Sequence, residues 1–235
     1  MRKTKGIKNR LPLTNGHVPV LSPGSSHTVC DRCGKLYNHP SGEIPPLHGA
    51  VCPSCVRTPL RIDLGCGPNP REGFVGADQY PFGGKVTHVC NLASSKWPWG
   101  DATVEEAHTS HFIEHLDATE RVHFCNELYR VLKPGGKCSM IAPHWASCRA
   151  YGDPTHKWPP ISEFWFYYLS KEWRLANAPH TDLSVWDKGY DCDFEVTWGY
   201  SMHPALTVRN QEFQQDAMQW KKEAIQDVQA TLTKK

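Results

Sequence analysis

The chain has 235 residues, 39% hydrophobic and 21% charged, with a formal net charge of +2, a composition typical of globular rather than disordered proteins. The near-neutral balance excludes a global basic field for polyanions, and no apolar run approaches the ~20 residues that a membrane span needs. The basic N-terminus has no apolar segment behind it, so the ten cysteines read as metal ligands and buried thiols of a cytoplasmic protein, not as secreted disulfides.

Residues 1–26 carry Arg2, Lys3, Lys5, Lys8 and Arg10 with little hydrophobic pattern, and read as a flexible basic tail. Residues 27–58 contain Cys30, Cys33, Cys52 and Cys55 in the spacing C-x2-C-x18-C-x2-C. Two cysteines three apart on a tight knuckle place both sulfurs on one ion, and two knuckles complete a thiolate tetrahedron. A closed four-cysteine site is structural, so this segment is expected to be a zinc ribbon stabilised by its metal.

The next stretch organises the rest. Leu60, Ile62 and Leu64 form a short apolar strand that breaks into Gly65-Cys66-Gly67 and is stopped by Pro68 and Pro70. Glycines at a strand end allow a tight turn and close approach of a ligand to the backbone. A second strand, Phe74 to Ala77, ends at Asp78, where a carboxylate can accept from both ribose hydroxyls. The interval from Gly65 to Asp78 is too short for a full crossover helix. A third strand, Val86 to Cys90, ends at Asn91-Leu92, and a fourth lies around Ala107 to Ser110.

Then come His111-Phe-Ile-Glu114-His115 and a helix opened by Asp117 and Glu120 in capping-box spacing. Val122, Cys125, Leu128, Tyr129 and Leu132 form its apolar stripe. Lys133-Pro134-Gly135-Gly136 stops it, and KCSMIAP is a fifth strand. The H-x-x-E-H letters also match the inverted zinc-protease motif, but hydrolysis explains neither the glycine loop nor Asp78.

D-x-G-x-G followed by S-H-x-x-E-H-L and E-L-x-R-V-L-K-P-G-G resembles the class I S-adenosylmethionine (SAM)-dependent methyltransferases, type 11-like, over residues 60 to about 145. The resemblance implies an α/β, Rossmann-like, mostly parallel seven-stranded sheet with helices on both faces, over residues 59–203. It implies that Asp63, Gly65, Cys66 and Gly67 hold the methionine end of SAM and that His111 lines it. Asp78 and Gln79 would take the ribose, and Asn91 with Leu92 the adenine. Asn91 stands where the family more often has Asp.

Pro143 to Pro160 resembles the P-H-[FW]-S…D-P-T-H-K segment of a bacterial and phage methyltransferase subfamily found near glycan-modifying genes. His144, Asp153 and His156 are its candidate catalytic residues, a histidine taking the acceptor proton as the methyl moves. Ser162 to Trp173 reads as one aromatic helix capped by Ser162, and Asp193 to Tyr200 alternates as a late strand. Val208, Phe213, Ala217, Trp220, Ala224 and Val228 predict a long amphipathic helix over residues 204–235, covering the core or a dimer interface.

The function expected is methyl transfer from SAM to an oxygen or nitrogen acceptor, a glycan or small polar molecule. A ribosomal-RNA guanine methyltransferase also carries a zinc module ahead of this fold, which makes RNA the alternative acceptor. A non-catalytic SAM-binding protein that recruits a partner through zinc is the alternative from another class. The NPPY-type tetrapeptide of DNA amino-methyltransferases is absent.

Overall fold

In the computed structural model, residues 27–30, 36–38, 59–185 and 189–235 are described. Two short strands, β1 (His27–Val29) and β2 (Leu36–Asn38), pair antiparallel. The seven strands that follow form one sheet: β3 (Arg61–Leu64), β4 (Val75–Asp78), β5 (His88–Val89), β6 (Val104–Ser110), β7 (Leu132–Pro143), β8 (Phe194–Met202) and β9 (Ile225–Lys234). Their order is β5-β4-β3-β6-β7-β9-β8. The first five run parallel, and β9 inserts antiparallel between β7 and β8. The order reverses between β3 and β6, where an open α/β sheet leaves its ligand crevice.

The main helix, α1 (Ala118–Val131), has the expected capping box: Asp117 accepts from the Glu120 N–H at 2.9 Å, and Glu120 accepts from the Asp117 N–H at 2.8 Å. Its Val122, Phe124, Cys125 and Leu128 join the core with Ile62, Leu64, Ala107, Met140 and Leu232 from the sheet. The remaining helices are short: α2 (Arg149–Gly152), α3 (Glu163–Tyr167), α4 (Lys171–Asn177), α5 (Asp182–Val185), α6 (Pro204–Thr207) and α7 (Gln211–Trp220).

Three expectations are corrected. The long C-terminal helix over 204–235 is two helices and a strand, because α7 ends at Trp220 and Val228 lies in β9. Val228, Ala230 and Leu232 are buried while Gln229 and Thr231 are exposed. That period of two overrides the helical spacing read from Ala217 to Val228. The fold therefore needs residues beyond 203, and the boundary placed there disappears. The aromatic helix from Ser162 to Trp173 breaks at Tyr168–Ser170 into α3 and α4; Phe166 is buried and Phe164 exposed. Ser162 makes no side-chain cap, whereas Ser170 accepts from the Trp173 N–H.

The third concerns the expected helices on both faces. Register carries the side-chain row Asp63, His108, Ser139, Thr231, Thr197 along one face, beside Arg61, Glu106, Lys137, Thr233, Glu195. From His108 onward both rows are half-exposed or exposed. Among the described residues this face is polar. The connections from β3 to β4 and from β5 to β6 contain no helix, and β4 to β5 has only the 3-10 turn Phe82–Gly84. Antiparallel and edge strands tolerate one solvated face through such alternation.

Candidate active site at the carboxyl rim

The glycine loop leaves β3 at the switch point. Gly65 and Gly67 have φ of 69° and 56°, the left-handed region. The Gly65 and Cys66 N–H groups both donate to Ala77 O, at 2.9 and 3.2 Å. A Cβ at Gly65 would run into the Phe112 ring, whereas one at Gly67 would meet nothing within 4 Å. Gly67 thus presents bare backbone to open space, the surface a cofactor needs. A Cβ at Gly76 would come within 2.9 Å of both Cys66 Sγ and Pro70 Cβ, so the loop packs on β4 only because Gly76 has none.

Two buried carboxylates hold this loop. Asp63 Oδ2 accepts from the Arg71 N–H at 2.8 Å, and Asp78 accepts from the N–H groups of Gly67 (3.0 Å) and Tyr80 (3.1 Å). Each Asp78 oxygen has one such partner and so keeps lone-pair capacity for a further donor. Asp63, 5% exposed, thus positions the loop through Oδ2. Burial, with the Asp63 and Asp78 carboxylates nearby, pushes the Cys66 thiol up to about 11, and burial with Asp78 does the same to Cys90. Thiols raised in this way stay protonated at neutral pH, the opposite of the lowered values of activated nucleophiles. Asn91 Oδ1 accepts from the Ala93 N–H at 2.8 Å, closing its own turn, and buried Leu92 is fixed by Trp97 Nε1 donating to its carbonyl at 3.1 Å. Gln79 is exposed beside Asp78.

The sequence-predicted catalytic residues do not converge. His156 and Asp153 line a cavity of about 690 Å³ with His111, Glu114, His115 and Arg149, beyond the ends of β6 and β7. His144 lines a second cavity of about 890 Å³, with Trp145, Tyr151, Glu163, Tyr200 and Trp220. The two flank one segment: Pro143 and Gly152 face the first, His144 and Tyr151 the second. His144 is 2% exposed. Its Nδ1 accepts from the Ala146 N–H at 3.3 Å, so Nε2 carries the proton toward Glu163 Oε2 at 3.2 Å.

In the first cavity, His111 Nδ1 lies 3.4 Å from Glu114 Oε1, and this contact raises the His111 pKa. His111 has φ of 53°, and residues Ile113–His115 form a 3-10 turn. His111 and His115 therefore do not stand on one α-helical face, and the inverted-protease geometry is absent.

Several groups that shape the rim had no readable signal. Arg121, 2% exposed, donates to the carbonyls of Ile113 (3.2 Å), Pro159 (2.6 Å) and Lys157 (3.4 Å), tying α1 to both sides of the first cavity. Arg149 pairs with Asp227 at 3.0 Å, and Glu223 accepts from the Cys148 N–H at 2.6 Å. These join residues 75–78 positions apart, beyond any local pattern.

The methyltransferase-domain family model matches residues 73–140. A SAM-dependent methyltransferase of known structure from Archaeoglobus fulgidus is similar at a TM-score of 0.51 and 19% identity, covering 75% of this chain and 86% of that one. The chain has the fold of a class I SAM-dependent methyltransferase. Further methyltransferase structures match at lower scores. One from Methanosarcina mazei has a TM-score of 0.46 at 15% identity, covering 74% and 91%. The geranyl diphosphate C-methyltransferase of Streptomyces coelicolor has 0.41 at 18%, covering 76% and 70%. No curated protein matches the chain. Among the described residues, no helix of this methyltransferase fold is long and apolar enough to cross a membrane. Of the zinc-ribbon cysteines, Cys30 follows β1 and is fully buried; Cys33, Cys52 and Cys55 lie outside the described residues, as does the tail over 1–26.

Proposed function

We propose that the protein transfers a methyl group from SAM to a hydroxyl or amine of a glycan or a comparable polar molecule. The observation that carries this reading is the aromatic cavity around His144, walled by Trp145, Tyr151, Tyr200 and Trp220 beside the cofactor rim. Aromatic faces with a few fixed polar groups suit a ligand having one apolar face and many hydroxyls.

Gly65, Cys66 and Gly67 would cradle the methionine end of SAM, Asp78 with Gln79 the ribose, and Asn91 with Leu92 the adenine rim. SAM supplies an activated methyl on sulfur, so the protein's task is alignment and exclusion of water. His111 follows β6 beside the loop, and its Nδ1 faces Glu114. That leaves Nε2 to accept the acceptor's proton, and His156 and Asp153 shape the same cavity. His144 and Glu163 hydrogen-bond the part of the acceptor lying in the aromatic cavity. The N-terminal segment we read as a zinc ribbon: β1 and β2 are antiparallel, and Cys30 directly follows β1.

Transfer of tritium from methyl-labelled SAM into fractionated extract tests the reading, with Asp78→Ala as blank. Label in the glycan or small-molecule fraction is expected. Label in RNA would replace the acceptor assignment, and no label with SAM binding intact would favour a non-catalytic role.

A further inference from the structure

One cluster in the first cavity is not used by methyl transfer as described. Donor atoms of Glu114, His115 and His156 all lie within 4.8 Å of one another. Glu114 is 3% exposed, and its Oε2 is buried with no hydrogen-bond partner. An unpaired carboxylate oxygen at that depth is costly. A buried polar atom without a partner calls for one.

Hydrogen bonds set which ring nitrogen of each histidine is free. His156 Nδ1 lies 3.2 Å from the Ala150 carbonyl, which can only accept, so Nδ1 carries the proton and Nε2 the lone pair. Thr155 Oγ1 donates to Asp153 Oδ1 at 2.7 Å and therefore accepts from His115 Nδ1 at 2.9 Å. Nε2 of His115 is again left as the lone-pair atom. Metal-ligating histidines are held in this manner, with the far ring nitrogen donating to a carbonyl or a carboxylate-linked group. Asp153 reaches the cluster through Thr155.

We propose that Glu114, His115 and His156 bind a divalent first-row transition-metal ion, whose open positions take the acceptor oxygen that receives the methyl. Two imidazoles and one carboxylate suit such ions and leave coordination positions free. Donors about 2.1 Å from a tetrahedral ion sit about 3.4 Å apart, so the cluster closes by about an ångström on binding. The proposal rests on the methyltransferase reading and assigns the chemistry of its acceptor end. An acceptor hydroxyl on the ion loses its proton more readily. The proton passes to His111 Nε2, the oxygen lone pair forms the new O–CH3 bond, and the S–CH3 bond breaks with its electron pair remaining on sulfur. The products are the methyl ether and S-adenosylhomocysteine. An acceptor with two neighbouring hydroxyls, as on a sugar, can fill the open position and a fifth one gained as the ion expands its coordination, and is the favoured class.

The test is zinc content per chain after exposure to Zn2+ and gel filtration, with SAM affinity measured calorimetrically on the same preparations. Glu114→Gln and His156→Ala are expected to hold one zinc equivalent fewer than the wild type, with SAM affinity within about twofold. A Cys33→Ser/Cys52→Ser variant keeps this equivalent and so separates it from zinc on the thiolates. Thr155→Val retains all three ligands and should weaken zinc binding about 10–100-fold, the usual cost of losing a supporting partner. Equal zinc content in wild type, Glu114→Gln and His156→Ala overturns the site, and so does unchanged affinity in Thr155→Val. Loss of SAM binding by the wild type itself would instead overturn the methyltransferase reading.

Discussion

Along the carboxyl rim, the half formed by β3, β4 and β5 is held by backbone groups, whereas the half beyond β7, β9 and β8 is held by side chains. On the first, Gly65, Cys66 and Gly67 N–H groups bond to Ala77 O and Asp78, over a span short enough to be written as glycines and one aspartate. On the second, Arg121, Arg149, Glu163 and Glu223 reach across long sequence separations to carbonyls, an aspartate, a histidine and an amide. A backbone-built site can serve one invariant cofactor. A side-chain-built site can change with its acceptor while the fold stays.

The most drastic way to break this comparison is to remove residues 225–235. β9 pairs with both β7 and β8, so this deletion is expected to abolish cooperative unfolding by circular dichroism. A folded product would mean the acceptor half is dispensable. Next is Gly65→Ala, which combines positive φ with collision against Phe112. A loss of about 2–4 kcal/mol is expected in urea. Gly67→Ala has the same backbone sign but an open surround, so it should cost about 1 kcal/mol of stability and show its larger effect on SAM affinity. Similar stability losses for the two would contradict the distinction.

On the side-chain half, Arg121→Met leaves three carbonyls without their donor, and a loss of about 2–3 kcal/mol is expected. It should reduce methyl transfer while SAM affinity changes little. Asp78→Ala reverses that pattern, weakening SAM by about 1–3 kcal/mol in calorimetry through loss of a charged hydrogen-bonding group. The smallest expected effect is at His108, whose pKa burial lowers. Its full contribution is present above the ordinary imidazole value of about 6.5 and is lost as pH falls from there through the depressed folded value. His108→Gln should therefore flatten the fall in stability below about pH 6.5, measured by urea titration at several pH values. An unchanged slope would remove His108 from the acid response.

What could be read in advance follows the same division. The glycine loop, Asp78 and the Asp117–Glu120 capping box are local patterns, and all three stand where expected. The β9 error came from a stretch whose apolar positions fit a period of 3.6 as far as Val228; only pairing with β7 settles it as strand. His144, Asp153 and His156 lie close in sequence, yet the chain between them turns so that His144 faces one cavity and the others face its neighbour. On an α-helix the H-x-x-E-H letters would put His111 and His115 on one face. The 3-10 turn instead sets Glu114 and His115 beside His156, a grouping that no spacing rule contains.

The placement of β9 has a consequence for synthesis. β7 leaves the ribosome long before the strand that will sit beside it, with β8 and α7 still to be made. Until then β7 is an open sheet edge, the kind that recruits foreign strands. Its outward Lys137 and Ser139 are the charged and polar residues that keep a waiting edge from pairing wrongly. Pro143 at the end of β7 lines the first cavity and Ile225 at the start of β9 lines the second, so the wall of the second is complete only when that last pairing closes.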